Sequence, residues 1–241
     1  METFWNTIAD YNSGTWPLQI AIVVIGLILT LLLYFRPSRT VRIAMKLFMI
    51  FLNFWIAAVY YLIYCAPREY NGLMALFWAI MGGLWIYDLA VKHASLELTG
   101  KHQSFAVVLL VMPIVYPLLS LALGRTFPMM TSPVMPCSVA VFTIGLMLAF
   151  SERVNIILAM FLAHWALLGF SKIYFFGIIE DYLLVFSLVP ALYIFFREYV
   201  MAHASGKSKP SVAVLNTLLI LLCIIVCIFF TITLLHQIKT A

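Results

Sequence analysis

FPMMTSPVMPCSVAVFTIGLML, residues 127–148, sets dense helix-breaking chemistry at the entrance to an apolar run. Pro128, Pro133 and Pro136 crowd around Cys137 together with Thr131, Ser132 and Ser138, and an apolar run follows. Ser151 opens the next polar connection, so the run closes at Phe150. From Cys137 to Phe150 the helix is about 21 Å long at 1.5 Å per residue. That is short of a ~30 Å hydrocarbon core. A full-length span ending at Phe150 starts at Thr131, which places Pro133 and Pro136 in its first turns.

Two readings of this start are open. A proline is tolerated at the first helical position, where its missing N–H has no partner in any case. Thr131, Ser132 and Ser138 can cap the other donors, which gives an ordinary loop and a proline-started helix. The functional reading is a broken helix whose N-terminus lies at membrane depth. Its free N–H groups and positive dipole end then face a cavity and can hold an anion or polar solute. Non-helical backbone at that depth requires burial in protein or a wet cavity.

Composition sets the context. Of 241 residues, 65% are hydrophobic and 10% charged, against about a quarter charged in soluble domains. Mean hydropathy is +1.09. These values predict an all-α integral membrane bundle over residues 1–241, in one domain with the lipid bilayer as its surroundings. A β-barrel is excluded because no alternating ten-residue segments occur. The net charge of +5 follows from basic loops and implies no nucleic acid, since no basic stripe carries interleaved aromatics. The start, METFWNTIADYNSGTW, lacks the basic region of a cleavable signal.

Eight apolar segments are long enough to read as spans: 16–35, 43–65, 72–91, 104–124, 131–150, 154–172, 182–197 and 211–235. Residues 173–197 can instead form a re-entrant turn, leaving seven crossings. With the N-terminus outside, ten of the 14 Lys and Arg fall on the inner side, which predicts both termini outside the cytoplasm. Trp16, Trp78 and Trp85 read as interfacial anchors, and Trp55 as a packing residue.

Three patches resemble one bacterial membrane-protein family, a domain of unknown function. MPCSVAVFTIGLML is similar to its Thr-Pro-Cys-Pro-type stretch at Pro136, Cys137, Phe142, Thr143, Gly145 and Leu146, with Ser138 in place of the second proline. YNSGTWPLQ, with Tyr11, Trp16, Pro17 and Gln19, resembles its N-terminal pattern. IIEDYLL resembles its Pro-Glu-Asp-Tyr turn at Glu180, Asp181 and Tyr182, without the proline. The resemblance implies a polytopic protein of the bacterial inner membrane and no assigned activity.

Ionisable and polar groups inside spans are candidate sites because they are costly there. His164 lies mid-span, as a neighbour-satisfied imidazole or a proton relay. Asn53 reads as interhelical glue or part of a solute path. Asp88 reads as an interfacial partner of Lys92, four residues on, or as a path residue. Gly82 and Gly83 allow close packing. Glu180 and Asp181 form an acidic pair, a capped turn or a cation-attracting outer mouth, with Arg68, Glu69 and Lys172 as possible neighbours. Cys223 and Cys227, one turn apart, read as packing residues rather than a redox or metal pair.

No metal site and no cofactor can be named. HExxH, P-loop, GxGxxG and GxSxG motifs are absent. The expected function is a transporter or channel for a small polar solute or ion, using the broken helix at 131–150. Its expected path is Pro136, Cys137, Ser138, Thr143, His164, Asn53 and Asp88. On that expectation His164→Ala abolishes transport. The alternatives are a non-catalytic subunit or sensor, acting with a membrane partner or as a homo-oligomer, and an intramembrane enzyme acting on a lipid or quinone.

Overall fold

The structure, a computed structural model, describes residues 2–68, 70–91, 94–100, 102–151 and 155–194, with Leu221, Ile228 and Ile232 beyond. The expected span 211–235, Cys223 and Cys227 lie outside the described residues, as do Glu69, Lys92 and the last residues of the expected span 182–197.

The described chain is all-helical. Helix α1 covers Glu2–Phe35. Helix α2 covers Arg39–Trp55, and Ser38 caps it by accepting the Val41 N–H. The same rod continues over Ile56–Tyr64 with the wider i→i−5 pairing of a π-helix, and the Cys65 N–H closes it on the Tyr60 carbonyl at 2.9 Å. Helices α3 (Asn71–Val91), α4 (Gln103–Ala122), α5 (Pro136–Phe150) and α6 (Ile156–Phe176) follow. A 3-10 turn, Ile179–Asp181, leads into α7, Tyr182–Phe186. After a break at Ser187 the chain is helical again over 188–194.

Among the described residues four helices are long and apolar enough to cross a membrane: α1, α2 with its π-helical extension, α3 and α4. Two expected boundaries move. The first helix starts at residue 2 instead of 16 and runs through Pro17. Its 34 residues extend about 50 Å, well beyond the apolar stretch that marked the span. The helix expected over 131–150 starts at Pro136, and residues 131–135 are non-helical.

Helix α5 is the centre of the packing. All 15 of its residues are buried, as expected of a helix that is apolar on every side. Its most extensive neighbour is α4, and α6 and α7 also pack on it. Gly145 permits the α4 contact, because a Cβ there would lie 2.8 Å from the Leu109 Cβ and 3.0 Å from the Leu110 nitrogen. Gly82 takes the Phe54 ring in the same way, whereas Gly83 has open space. Trp78 and Trp85 are fully buried rather than interfacial. Trp78 packs edge-on to Trp165 at 5.2 Å between centroids.

Candidate functional site

Residues 128–135 cannot pair their backbone within a helix, and buried carbonyls without donors are costly. The first half of α1 supplies the donors. Asn12 Nδ2 donates to the carbonyls of Pro128 at 2.8 Å and Met130 at 2.7 Å. The Tyr11 hydroxyl donates to the Val134 carbonyl at 2.6 Å and accepts from Trp55 Nε1 at 3.0 Å. Gln19 donates to the side chains of Asn12 and Thr15. Residues 11, 12, 15 and 19 recur at helical spacing and form one polar stripe, which holds the proline segment.

The far side of the segment is held by a buried carboxylate. Glu180 is completely buried and pairs with Arg125, Nη1 to Oε1 at 2.9 Å. Ser120 Oγ donates to the same oxygen at 2.8 Å and accepts the Thr131 N–H at 3.1 Å. The Thr131 hydroxyl donates to the Tyr116 carbonyl at 3.0 Å. The Arg125 guanidinium stacks 3.6 Å from the Trp5 ring centroid.

Between these two supports lies a small chamber of about 30 Å³ at the start of α5. Its charged and reactive lining residues are Arg68, Cys137, Lys172 and Asp181, with tyrosines 60, 61, 70 and 116 around them. Cys137 Sγ lies 3.4 Å from Lys172 Nζ. That ammonium also sits 4.6 Å from the Trp165 ring centroid. Asp181 is buried and faces both the Cys137 thiol and Lys172. Burial pushes its carboxyl above the usual carboxylate range, against the opposite pull of the Lys172 charge and the thiol. Arg68 donates to the Phe4 carbonyl at 2.9 Å and to the Thr7 hydroxyl.

Of the expected path residues, Pro136 and Cys137 line this chamber, and so does Asp181 of the expected mouth. The others are used elsewhere. Ser138 Oγ donates to the Ser132 carbonyl at 3.2 Å, bracing the segment instead of capping α5. Thr143 donates to the Val139 carbonyl of its own helix. Asn53 is buried, with Nδ2 bonded to the Met49 carbonyl. His164 packs near Phe77 of α3 and is not among the residues that line the chamber. Asp88 pairs with Lys46 of α2 at 2.8 Å, both buried, and accepts the Ala94 N–H at 2.8 Å. Among the described residues no three His, Cys, Asp or Glu side chains come together to hold a metal.

Sequence reasoning missed the chamber tyrosines, and of the α1 stripe it singled out Tyr11 and Gln19 but not Asn12 and Thr15. Tyr60 and Tyr61 lie in the π-helical stretch and line the chamber. A π-helical insertion is a frequent mark of a functional site.

The family model of a family of unknown function, DUF6064, matches residues 1–206. The chain belongs to this family. No curated protein and no solved structure matches it. The three sequence patches that resemble a family of unknown function are brought together in space. Tyr11 of the first bonds Val134 beside the second, and Asp181 of the third faces Cys137 of the second.

Proposed function

We propose that the chain is a polytopic protein of the bacterial inner membrane that moves a small polar solute or ion through the chamber at the start of α5. The observation that carries the reading is the Cys137–Lys172–Asp181 cluster at the N-terminus of a wholly buried, proline-started helix. Four of the described helices are of membrane length, and each contributes lining residues to the chamber. On this reading the chain crosses the membrane about eight times, and α5 with the non-helical residues 131–135, α6 and the helical stretch from Tyr182 are among the crossings. The excess of Lys and Arg on one side sets both termini outside the cytoplasm.

The path narrows to Pro136, Cys137, Lys172, Asp181 and the tyrosines. Asn53, Thr143, Asp88 and His164 lie off it, so His164→Ala is now expected to keep activity. A partner-subunit reading draws support from the small size of the enclosed chamber. Proteoliposomes containing the full chain test the proposal by osmotic swelling in gradients of potassium chloride, potassium formate, ammonium chloride and glycerol, with valinomycin carrying the compensating potassium. Saturable uptake of one solute, lost in Lys172→Gln and kept in His164→Ala, supports transport. Vesicles as tight as protein-free ones in every gradient favour the subunit reading.

A further inference from the structure

The chamber holds two cations and one acid. Arg68 and Lys172 both line it, and no described carboxylate comes within ion-pair distance of either. The other part-buried or buried cations that face a described acid, Arg42, Lys46 and Arg125, have it in direct contact. Arg68 Nε is buried without a hydrogen-bond partner. Burying a charge is tolerable when an opposite charge or several dipoles compensate it. Asp181 supplies part of that compensation in the chamber, yet it is shared with the Cys137 thiol and stands beyond ion-pair distance from Lys172.

Donors outnumber acceptors here. The first turn of α5 opens on the chamber, and its N-cap residue Met135 provides no side-chain cap. Pro136 has no N–H, so the first-turn donors are those of Cys137 and Ser138. The Tyr116 hydroxyl is 1% exposed, lines the chamber and has no hydrogen-bond partner. The Leu184 backbone is a polar neighbour of that hydroxyl, and no well-formed hydrogen bond joins the two. A helix N-terminus favours a negative group. A buried hydroxyl without a partner calls for one.

We propose that the chamber binds one small monovalent anion, of halide or formate size, among Arg68, Lys172, the Tyr116 hydroxyl and the first turn of α5. Size and charge set the class. A volume of about 30 Å³ admits roughly two water-sized groups. Phosphate, sulfate and larger carboxylates are too big. Two cations against one carboxylate leave a single positive charge, which matches a single negative one. Asp181 competes with the anion for Lys172, so its protonation or neutralisation strengthens binding. The inference names the solute of the proposed transport path and rests on that reading for its role, though binding is measured apart from flux.

The test is thermal unfolding of the full chain, purified in detergent, in sodium bromide or sodium formate against sodium gluconate at equal ionic strength. Bromide and formate sit on opposite sides of the general salt series, so a rise in Tm with both over gluconate reports a site. The expected result is a saturable rise in wild type, its loss in Lys172→Gln, and binding tighter by about tenfold in Asp181→Asn, where a competing charge is removed. No anion-specific rise in wild type overturns the proposal. So does a rise that Asp181→Asn leaves unchanged, which remains decisive if Lys172→Gln fails to fold. Anion binding without flux would remove transport and keep the site. Saturable uptake of glycerol or a cation, with no anion binding, would keep transport and remove the anion.

Discussion

The Tyr11 hydroxyl of α1 lies 2.6 Å from the Val134 carbonyl, 123 positions away in the chain. This bond fastens the first helix to the non-helical segment that starts α5. The same oxygen accepts from Trp55 Nε1, so three elements meet at one atom. Tyr11→Phe keeps the ring, leaves a buried carbonyl and an indole N–H without partners, and is expected to cost about 1–3 kcal/mol. The denaturation midpoint in detergent measures it. Wild-type stability in Tyr11→Phe would mean that the segment holds itself.

Gly145 and Gly83 make a matched pair. Gly145→Ala drives a methyl against the Leu109 Cβ and the Leu110 backbone nitrogen of α4, whereas Gly83→Ala meets nothing within 4 Å. The first is expected to destabilise through forced separation of α4 and α5. The second is expected to gain about 0.5–1 kcal/mol from helix propensity. Equal stability in the two variants would contradict the close α4–α5 approach.

Lys46 and Asp88 form a buried ion pair at 2.8 Å. Removing either partner alone, as Lys46→Met or Asp88→Leu, strands a buried charge and is expected to cost about 3–5 kcal/mol. The double variant is expected to recover most of that loss. A double-mutant cycle reads the coupling, and additive losses would show that the two charges do not depend on each other.

Asp181 gives the pH dependence a sign. Its folded pKa is raised by burial, so the folded chain holds this proton more tightly than the unfolded one. The resulting stability is complete below the ordinary value of 3.8 and is lost as pH rises through the higher folded value. Asp181→Asn should flatten this part of the profile. Unfolding midpoints from acid to neutral pH for both proteins check it. Parallel profiles would place Asp181 in a water-like setting.

The helical class was legible because apolar runs of span length carry their own signal. The expected 72–91 lies one residue from the observed Asn71–Val91. The start of α5 was legible only in part. Local rules saw Pro133 and Pro136 as the first turns of a long span, while the actual start depends on Asn12 and Tyr11, more than a hundred positions away. The same limit acted at Asp88, where the i+4 rule points to Lys92 and the observed partner, Lys46, comes from a neighbouring helix. Cys137 was found because three prolines around a cysteine are conspicuous. Tyr60 and Tyr61 were not, because nothing in YYLIY announces a π-helix.

The chamber around Cys137 takes a solute from outside, and thiol labelling tests this with Cys137 kept as the sole thiol in proteoliposomes and a small, membrane-impermeant thiol reagent. Slow labelling of the folded protein is expected, retarded further by sodium formate relative to sodium gluconate. Labelling that appears only after denaturation, with no effect of formate, would mean that the chamber is sealed packing that takes no solute.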